Sequence, residues 1–212
     1  MDPTRIKEQI KIKIFQFGGK FSSESTSFQG ILSKSDVSRD LARMDYVLIA
    51  PHDADITDGE IINDSETDEN YVPLMIEKPP MVGKRTLNKL YVRHCNASGQ
   101  IKTMTRTSIA SLDVWGAEQG TEETDWGWVA QKHKVWANFD RVALRPDTVD
   151  AGAIEQAVYH LTIPWTVNAS YTPKAEDRFT TTGGDNWKIE DIDPYTYKGQ
   201  AYLARVSTDK RD

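Results

Sequence analysis

The C-terminal half of the chain, from about Ser108 onward, is a succession of short aromatic segments separated by turn signals. Tryptophan or alternating apolar residues mark the segments, and glycine, proline and aspartate lie between them. Such spacing is typical of antiparallel strands that each bury one face. The segments are Trp126–Ala130, Val135–Asp140, Val158–Trp165, Gly184–Pro194 and Ala201–Val206. No catalytic motif interrupts this pattern, so it constrains the fold more strongly than the chemistry.

The composition favours a protein that folds in a cytoplasm. The 212 residues carry a formal net charge of −6 and one cysteine, Cys95, which cannot form a disulfide within the chain. No apolar run approaches the ~20 residues that a membrane-spanning helix needs, so we expect no membrane partner. A basic stripe that would grip DNA phosphates is also missing, apart from the short series Lys7, Lys11 and Lys13.

The N-terminal half also predicts strands. Ile10–Phe17 alternates apolar and polar residues, which predicts a half-buried strand with a basic outer face. The other strands predicted in this half are Tyr46–Ala50, Tyr71–Ile76 and Leu90–Arg93. The expected fold class is mainly β, with a small β-barrel or sandwich at residues 101–212 and an additional mostly β domain at residues 1–100. No sequence repeat is visible.

Turn and loop signals subdivide the C-terminal half. The polar, glycine-containing segment from Gly116 to Asp125 predicts a hairpin or a loop. Gly183-Gly184 and Tyr197-Lys198-Gly199 predict the last two turns. The tail, Ser207–Asp212, is expected to fray, as chain ends commonly do.

The order of these segments resembles the small β-barrel of the head–tail joining proteins of tailed bacteriophages, also called head-closure, stopper or adaptor proteins. In that family a Trp-bearing strand precedes a Val-Trp-Ala strand, a long loop, a histidine-containing strand and a terminal hairpin. The matching residues here are Trp126–Ala130, Val135–Ala137, His160–Ile163, Gly184–Ile189 and Leu203–Val206. Family members usually begin with the barrel, so residues 1–100 fall outside the resemblance.

The resemblance implies a non-enzymatic structural protein of the virion neck. It would form a homo-oligomeric ring between a portal or adaptor protein above and a tail terminator or tail tube below. Duplex DNA would pass through the lumen without sequence-specific binding. The resemblance also implies a channel loop at residues 141–152, with Arg141, Arg145, Asp147 and Asp150 as its candidate residues. Their mixed charge suits a passage that neither grips nor strongly repels DNA.

Large side chains inside the predicted strands are the candidates for the barrel core. They are Trp128, Trp136, Ile163, Trp187 and Ile189. Exposed tryptophan rings would instead suit stacking on sugars, so a carbohydrate-binding adhesin module is an alternative function. A tail terminator or a tail-completion ring protein is another.

No constellation of side chains predicts catalysis, a metal or a cofactor. A zinc site needs four converging ligands, and the histidines do not pair at ligand spacing. They are His52, His94, His133 and His160. The acidic stretch that begins at Asp53 resembles the start of a calcium loop, but its glycine falls one place late. It is otherwise a solvated loop, or an acidic patch facing the lysines of Ile10–Phe17 on a neighbouring subunit.

Overall fold

The computed structural model describes residues 3–34, 46–78, 80–81, 84–85, 87–112, 118–141, 159–166 and 171–211. Within these residues the chain forms one helix, α1 (Pro3–Phe17), and fourteen strands. The strands are β1 (Gly19–Ser22), β2 (Ser27–Lys34), β3 (Tyr46–Pro51), β4 (Ile62–Asp64), β5 (Glu69–Glu77), β6 (Pro80–Met81), β7 (Lys84–Arg85), β8 (Leu87–His94), β9 (Ala97–Leu112), β10 (Glu118–Arg141), β11 (Tyr159–Pro164), β12 (Arg178–Thr181), β13 (Asn186–Asp193) and β14 (Ala201–Thr208). The prediction of a mainly β chain is confirmed.

The strands form two closed barrels of six antiparallel strands each. The first barrel has the order β1-β2-β3-β8-β5-β4, and the second has the order β9-β10-β11-β14-β13-β12. When the strands are numbered within each barrel, both orders read 1-2-3-6-5-4, and the fourth strand closes onto the first. The small hairpin of β6 and β7 is an insertion between the fifth and sixth strands of the first barrel.

The pairing registers of the two barrels agree as well as their strand orders. A β-bulge lies in the fifth strand of each barrel, where it pairs with the sixth. The register shifts between Pro73 and Met75 in the first barrel, and between Ile189 and Asp191 in the second. Because bulges occur at specific points of a sheet, this shared position fixes which residues of the two barrels correspond.

The registers align two segments that share a sequence motif. Tyr46–Pro51 reads Tyr-Val-Leu-Ile-Ala-Pro, and Tyr159–Pro164 reads Tyr-His-Leu-Thr-Ile-Pro. The pairs that set this alignment are Tyr46↔Val92 and Tyr159↔Val206. The shared pattern Tyr-x-Leu-x-x-Pro therefore occupies the third strand of both barrels. The chain contains a structural repeat that inspection of the sequence alone did not detect.

Corresponding residues fill the two interiors. Leu48 and Leu161, in the third strands, are 1% and 0% exposed and belong to the two barrel cores. The core of the first barrel is Phe21, Leu48, Ala50, Ile56, Ile62, Tyr71, Leu90 and Val92. The core of the second is Ile101, Val135, Ala137, Leu161, Ile163, Phe179, Ile189, Tyr202, Ala204 and Val206. Burial of these side chains supplies most of the driving force for each barrel.

An edge-to-face aromatic pair also repeats between the third and fifth strands. The rings of Tyr46 and Tyr71 lie 5.8 Å apart in the first barrel, at an interplanar angle of 79°. In the second barrel, Tyr159 and Trp187 lie 5.0 Å apart at 69°. This geometry matches the preferred arrangement of aromatic quadrupoles, so both barrels use the same packing solution at this place.

The segment Ile10–Phe17 is helical, so the prediction of a strand there is wrong. It is the second half of α1, in which Ile6, Ile10 and Ile14 follow one another at four-residue spacing. Ile14 is 2% exposed, because α1 packs against β2 and β3. In so short a segment, the same apolar residues fit both a helical and an alternating pattern. The burial of Ile14 against the first barrel favoured the helix. The helix ends at Gly18, whose amide donates to the Ile14 carbonyl at 2.8 Å.

Strands β9 and β10 form one long hairpin. Of the two alternatives predicted for Gly116 to Asp125, the hairpin is confirmed, because β10 begins at Glu118 and pairs with β9. The two strands predicted at 126–130 and 134–142 are parts of this single 24-residue strand. Beyond Lys102, where pairing with β12 ends, the two hairpin strands pair with each other and with no other strand that the structure describes. At about 3.3 Å per residue, the hairpin extends about 30 Å from the barrel.

Candidate functional site

The predicted channel loop follows the end of β10. Arg145, Asp147 and Asp150 lie outside the described residues. The backbone of Arg141 is the last position of β10 and pairs with Tyr159 of β11. This connection between the second and third strands corresponds, by strand order, to residues 35–45 in the first barrel.

The candidate core residues occupy three different environments. Ile163 and Ile189 lie fully buried in the interior of the second barrel. Trp187 is half-buried against that core, in ring contact with Phe139 at 4.6 Å. Trp136 and Trp128 do not fill the barrel, which corrects their assignment to the core. Residues alternate along a strand, so Trp136 points away from the interior that its neighbours enter.

Trp136 instead contributes to the junction of the two barrels. A third apolar cluster combines the outer face of the first barrel with one end of the second, and Trp136 and Leu203 pack against it. Its buried members are Val47, Val72, Leu74, Tyr91 and Cys95 from the first barrel, and Tyr197 and Ala201 from the second. Burial raises the pKa of the Cys95 thiol to about 12, so this cysteine is an unreactive apolar group of the junction.

Polar contacts fix the orientation of the barrels at this junction. Arg93 is 4% exposed and donates from Nη1 to the Thr162 hydroxyl at 3.0 Å. Gly59 donates its amide to Oε1 of Gln200 at 3.2 Å, on the other side of the cluster. A Cβ atom on Gly59 would lie 2.6 Å from the Cβ of Trp165, so only glycine allows this approach.

A buried carboxylate precedes the fourth strand of each barrel. Glu60 accepts hydrogen bonds from the amide and hydroxyl of Ser25, at 3.2 and 2.7 Å. Asp177 accepts from the hydroxyls of Thr103 and Tyr171, at 2.9 and 2.8 Å. Burial alone would raise the pKa of Glu60, but these hydroxyl bonds lower it. Each acid also accepts from a backbone amide, Glu60 from Ser25 and Asp177 from Lys174, and so anchors a neighbouring loop.

The C-terminal tail is locked onto the second barrel, so the prediction that it frays is wrong. Asp209 accepts from Nε of Arg178 at 2.8 Å and from Nε of Arg211 at 2.9 Å. Both guanidinium groups also face the ring of Trp128, at 3.8 and 5.0 Å from its centroid. We call these four residues the C-terminal clasp. Burial opposes ionisation of Asp209, but the two arginines hold its pKa well below the usual range.

The clasp connects the tail to the base of the long hairpin, because Trp128 lies on β10. The indole N–H of Trp128 is buried without a hydrogen-bond partner among the described residues. The two guanidinium groups stabilise the ring through its face but supply no acceptor for this N–H. No sequence pattern predicted the clasp, because Arg178, Asp209 and Arg211 all lie far from Trp128 along the chain.

The histidines and the acidic stretch do not converge on a metal site. Within the residues described, no group of three or more His, Cys, Asp or Glu side chains is placed to hold a metal ion. Asp53 instead accepts from Nζ of Lys11 at 2.6 Å, which ties the acidic loop to α1 of the same chain. His160 lies beside Asp191 and Arg205 in a cavity of about 200 Å³, and burial lowers its pKa.

The described tryptophan rings contact protein groups. Trp165 stacks on Tyr202 at 4.5 Å between centroids, and Nζ of Lys134 lies 5.4 Å from the ring of Trp136. With Trp128 in the clasp and Trp187 against the core, each of these rings has a structural role. This distribution favours packing over a sugar-stacking platform.

No protein-family model matches the chain, and no curated protein or solved structure matches it. Among the described residues, no helix is both long and apolar enough to cross a membrane. The two barrels, their junction and the long hairpin are therefore the features that bear on the function.

Proposed function

We propose that this protein is a structural component of a phage neck, where several copies form a ring that joins head to tail and lets packaged DNA pass. The observation that carries the proposal is the second barrel. The segments that resemble the head–tail joining family lie in strands of one closed barrel, with Trp126–Ala130 and Val135–Ala137 sharing the single strand β10. They include Val135–Ala137 in β10, His160–Ile163 in β11, Gly184–Ile189 at the start of β13, and Leu203–Val206 in β14.

The long hairpin of β9 and β10 supports a role in assembly. It extends about 30 Å beyond the strands that close the barrel, at 3.3 Å per residue. An isolated two-stranded hairpin of this length is only marginally stable in water. A neighbouring subunit or a partner ring would supply the contacts that such an arm needs.

The charge of the chain suits a conduit for DNA. The formal net charge is −6, and tight phosphate binding depends on many lysine and arginine contacts. A ring of acidic subunits would let the duplex slide instead of holding it. Tail-terminator and tail-completion rings share these requirements, so the site of attachment distinguishes the candidates.

Electron microscopy of the purified protein, alone and mixed with the portal complex of the same virus, tests the proposal. We expect rings with a central opening of about 20 Å or more, wide enough for duplex DNA, or added density below the portal. Binding to tail tubes but not to the portal would instead favour a tail terminator. Monomers that ignore both partners would overturn the neck assignment, and a glycan screen would then test the adhesin alternative.

A further inference from the structure

The structural repeat allows the same surface to be compared on both barrels. In each barrel, the outer side of the second strand and the end of the third strand form one surface. We call this surface the docking edge. In the second barrel the docking edge contains Trp136 and Pro164. The registers place Gln29 and Pro51 at the corresponding positions of the first barrel.

The docking edge of the second barrel is covered by the first barrel. Trp136 packs against the apolar cluster that joins the two barrels. A cavity of about 260 Å³ at this contact is lined by Trp136 and Pro164 on one side, and by Ile61 and Asn63 on the other. This edge is therefore a surface on which one barrel receives another.

Among the residues that the structure describes, α1 is the element that covers the docking edge of the first barrel. The helix contacts β2 and β3 and leaves a groove of about 560 Å³, whose lining includes Phe15, Gln29 and Pro51. Three large apolar side chains of α1 are exposed: Ile12 by 52%, Phe15 by 75% and Phe17 by 77%. Five large hydrophobic side chains among the described residues are exposed by 46% or more, and three of them lie on α1. Such clustering marks an interaction surface.

We infer that α1, together with the docking edge of the first barrel, binds the second barrel of another copy of this chain. The inference rests on the proposed ring. In the junction within the chain, the first barrel docks through the outer faces of β3, β5 and β8. The corresponding strands of the second barrel are β11, β13 and β14. The part of their outer face that the first barrel leaves exposed, with Asp191 and Arg205, docks on α1 of the next copy.

Charge complementarity supports this choice of partner surface. The registers match the apolar junction residues Met75 and Tyr91 to Asp191 and Arg205, which are exposed on the second barrel. The charged groups of this second-barrel face are the acids Glu190, Asp191 and Asp193 and the bases Lys188 and Arg205, so the acids outnumber the bases by three to two. Helix α1 is basic, with Arg5, Lys7, Lys11 and Lys13 against Glu8 alone. The contact between copies thus combines the α1 aromatics with opposite charges.

A contact of this kind joins unlike surfaces of identical chains. It leaves one free α1 and one free second-barrel face on every dimer, so it propagates until a ring closes. The junction within the chain and the contact between chains would then alternate around the ring, each using a docking edge.

Two complementary variants of the full chain test the inference. Phe15→Asp removes the α1 side of the contact, and Asp191→Lys reverses charge on the second-barrel side. Mass photometry should show about tenfold or greater weakening of self-association for each variant, as expected for an anchor residue. Asp185→Lys is the matched control, because Asp185 is exposed in the turn before β13 and lies outside both surfaces. Thermal melts should show that all three variants remain folded.

Mixing the two variants gives the sharpest result. One intact α1 surface and one intact second-barrel surface are then present, so heterodimers should form without larger rings. If Phe15→Asp assembles like the unmodified chain, alone or on the portal, the docking site is wrong while the neck proposal stands. An unmodified chain that stays monomeric both alone and with the portal overturns the two together.

Discussion

The two barrels have the same interior and different exteriors. Leu48 and Leu161 occupy one buried position, and an edge-to-face aromatic pair recurs beside it. On the outer face the correspondence is lost: Leu74, buried at the junction, matches Glu190, which bonds Ser207 and Lys188 at the surface. Close packing constrains a barrel core to few solutions, whereas an outer face follows whatever it contacts.

The barrels also differ in how the fourth strand is secured. In the first barrel Ile61 precedes β4 and packs against the apolar junction. The corresponding residue of the second barrel is Arg178, which belongs to the C-terminal clasp. One barrel is held by its neighbour and the other by its own tail. The following experiments test that difference, from the largest expected effect to the smallest.

Removing the charge of Asp209 should have the largest effect. Asp209→Asn leaves the guanidinium of Arg178 buried without its carboxylate, with side-chain exposures of only 7% and 1% for the two partners. Loss of one partner of a buried pair costs about 3–5 kcal/mol of unfolding free energy. Urea denaturation measures this loss, with Asp185→Asn at an exposed position as the control. Equal stabilities of the two variants would show that the clasp does not secure the second barrel.

Truncating the corresponding core leucines tests whether the barrels are equally packed. Leu48→Ala and Leu161→Ala should each reduce the free energy of unfolding by about 2–5 kcal/mol, because each opens a cavity in a closed core. The measurement is urea denaturation followed by tryptophan fluorescence. A loss below about 1 kcal/mol for one variant alone would mean that its barrel can collapse around the gap, so the repeat would not extend to packing.

The junction is tested by a pair of glycines with the same backbone conformation. Gly59 and Gly199 have φ of 79° and 80°, but a Cβ atom meets the junction only at Gly59. Gly199→Ala should therefore lose about 1–2 kcal/mol through left-handed strain alone. Gly59→Ala should lose a further 1–3 kcal/mol, roughly the cost of overpacking. Equal losses in thermal unfolding would show that the junction adjusts around Trp165.

Acid should weaken the clasp gradually. The folded-state pKa of Asp209 is lowered, so its stabilising contribution is complete above the unfolded-state value of about 3.9 and declines as the pH falls through the folded pKa. The stability difference between the unmodified chain and Asp209→Asn should therefore narrow from pH 6 to about pH 3. Denaturation curves at several pH values measure it, and a constant difference would contradict the lowered pKa.

The strands of the second barrel were the most predictable part of the fold. Segments such as Ala201–Val206 combine alternation with clear turns, and local pattern suffices to predict them. The helix α1 was not predictable, because its isoleucines fit both a strand and a helix until Ile14 was buried against β2 and β3. The sequence analysis did not predict the junction or the clasp either, because each unites residues that are far apart in the chain.

The sequence by itself determined that the chain is mainly β, because strand alternation and turn residues act over a few neighbouring positions. It also placed Ile163 and Ile189 among the candidates for the core. Only the tertiary structure decided that two barrels share one topology, since three matching residues in Tyr46–Pro51 and Tyr159–Pro164 are too few to reveal a repeat. Strand order and register depend on hydrogen bonds between distant segments, and these contacts alone bring the junction, the clasp and the docking edges together.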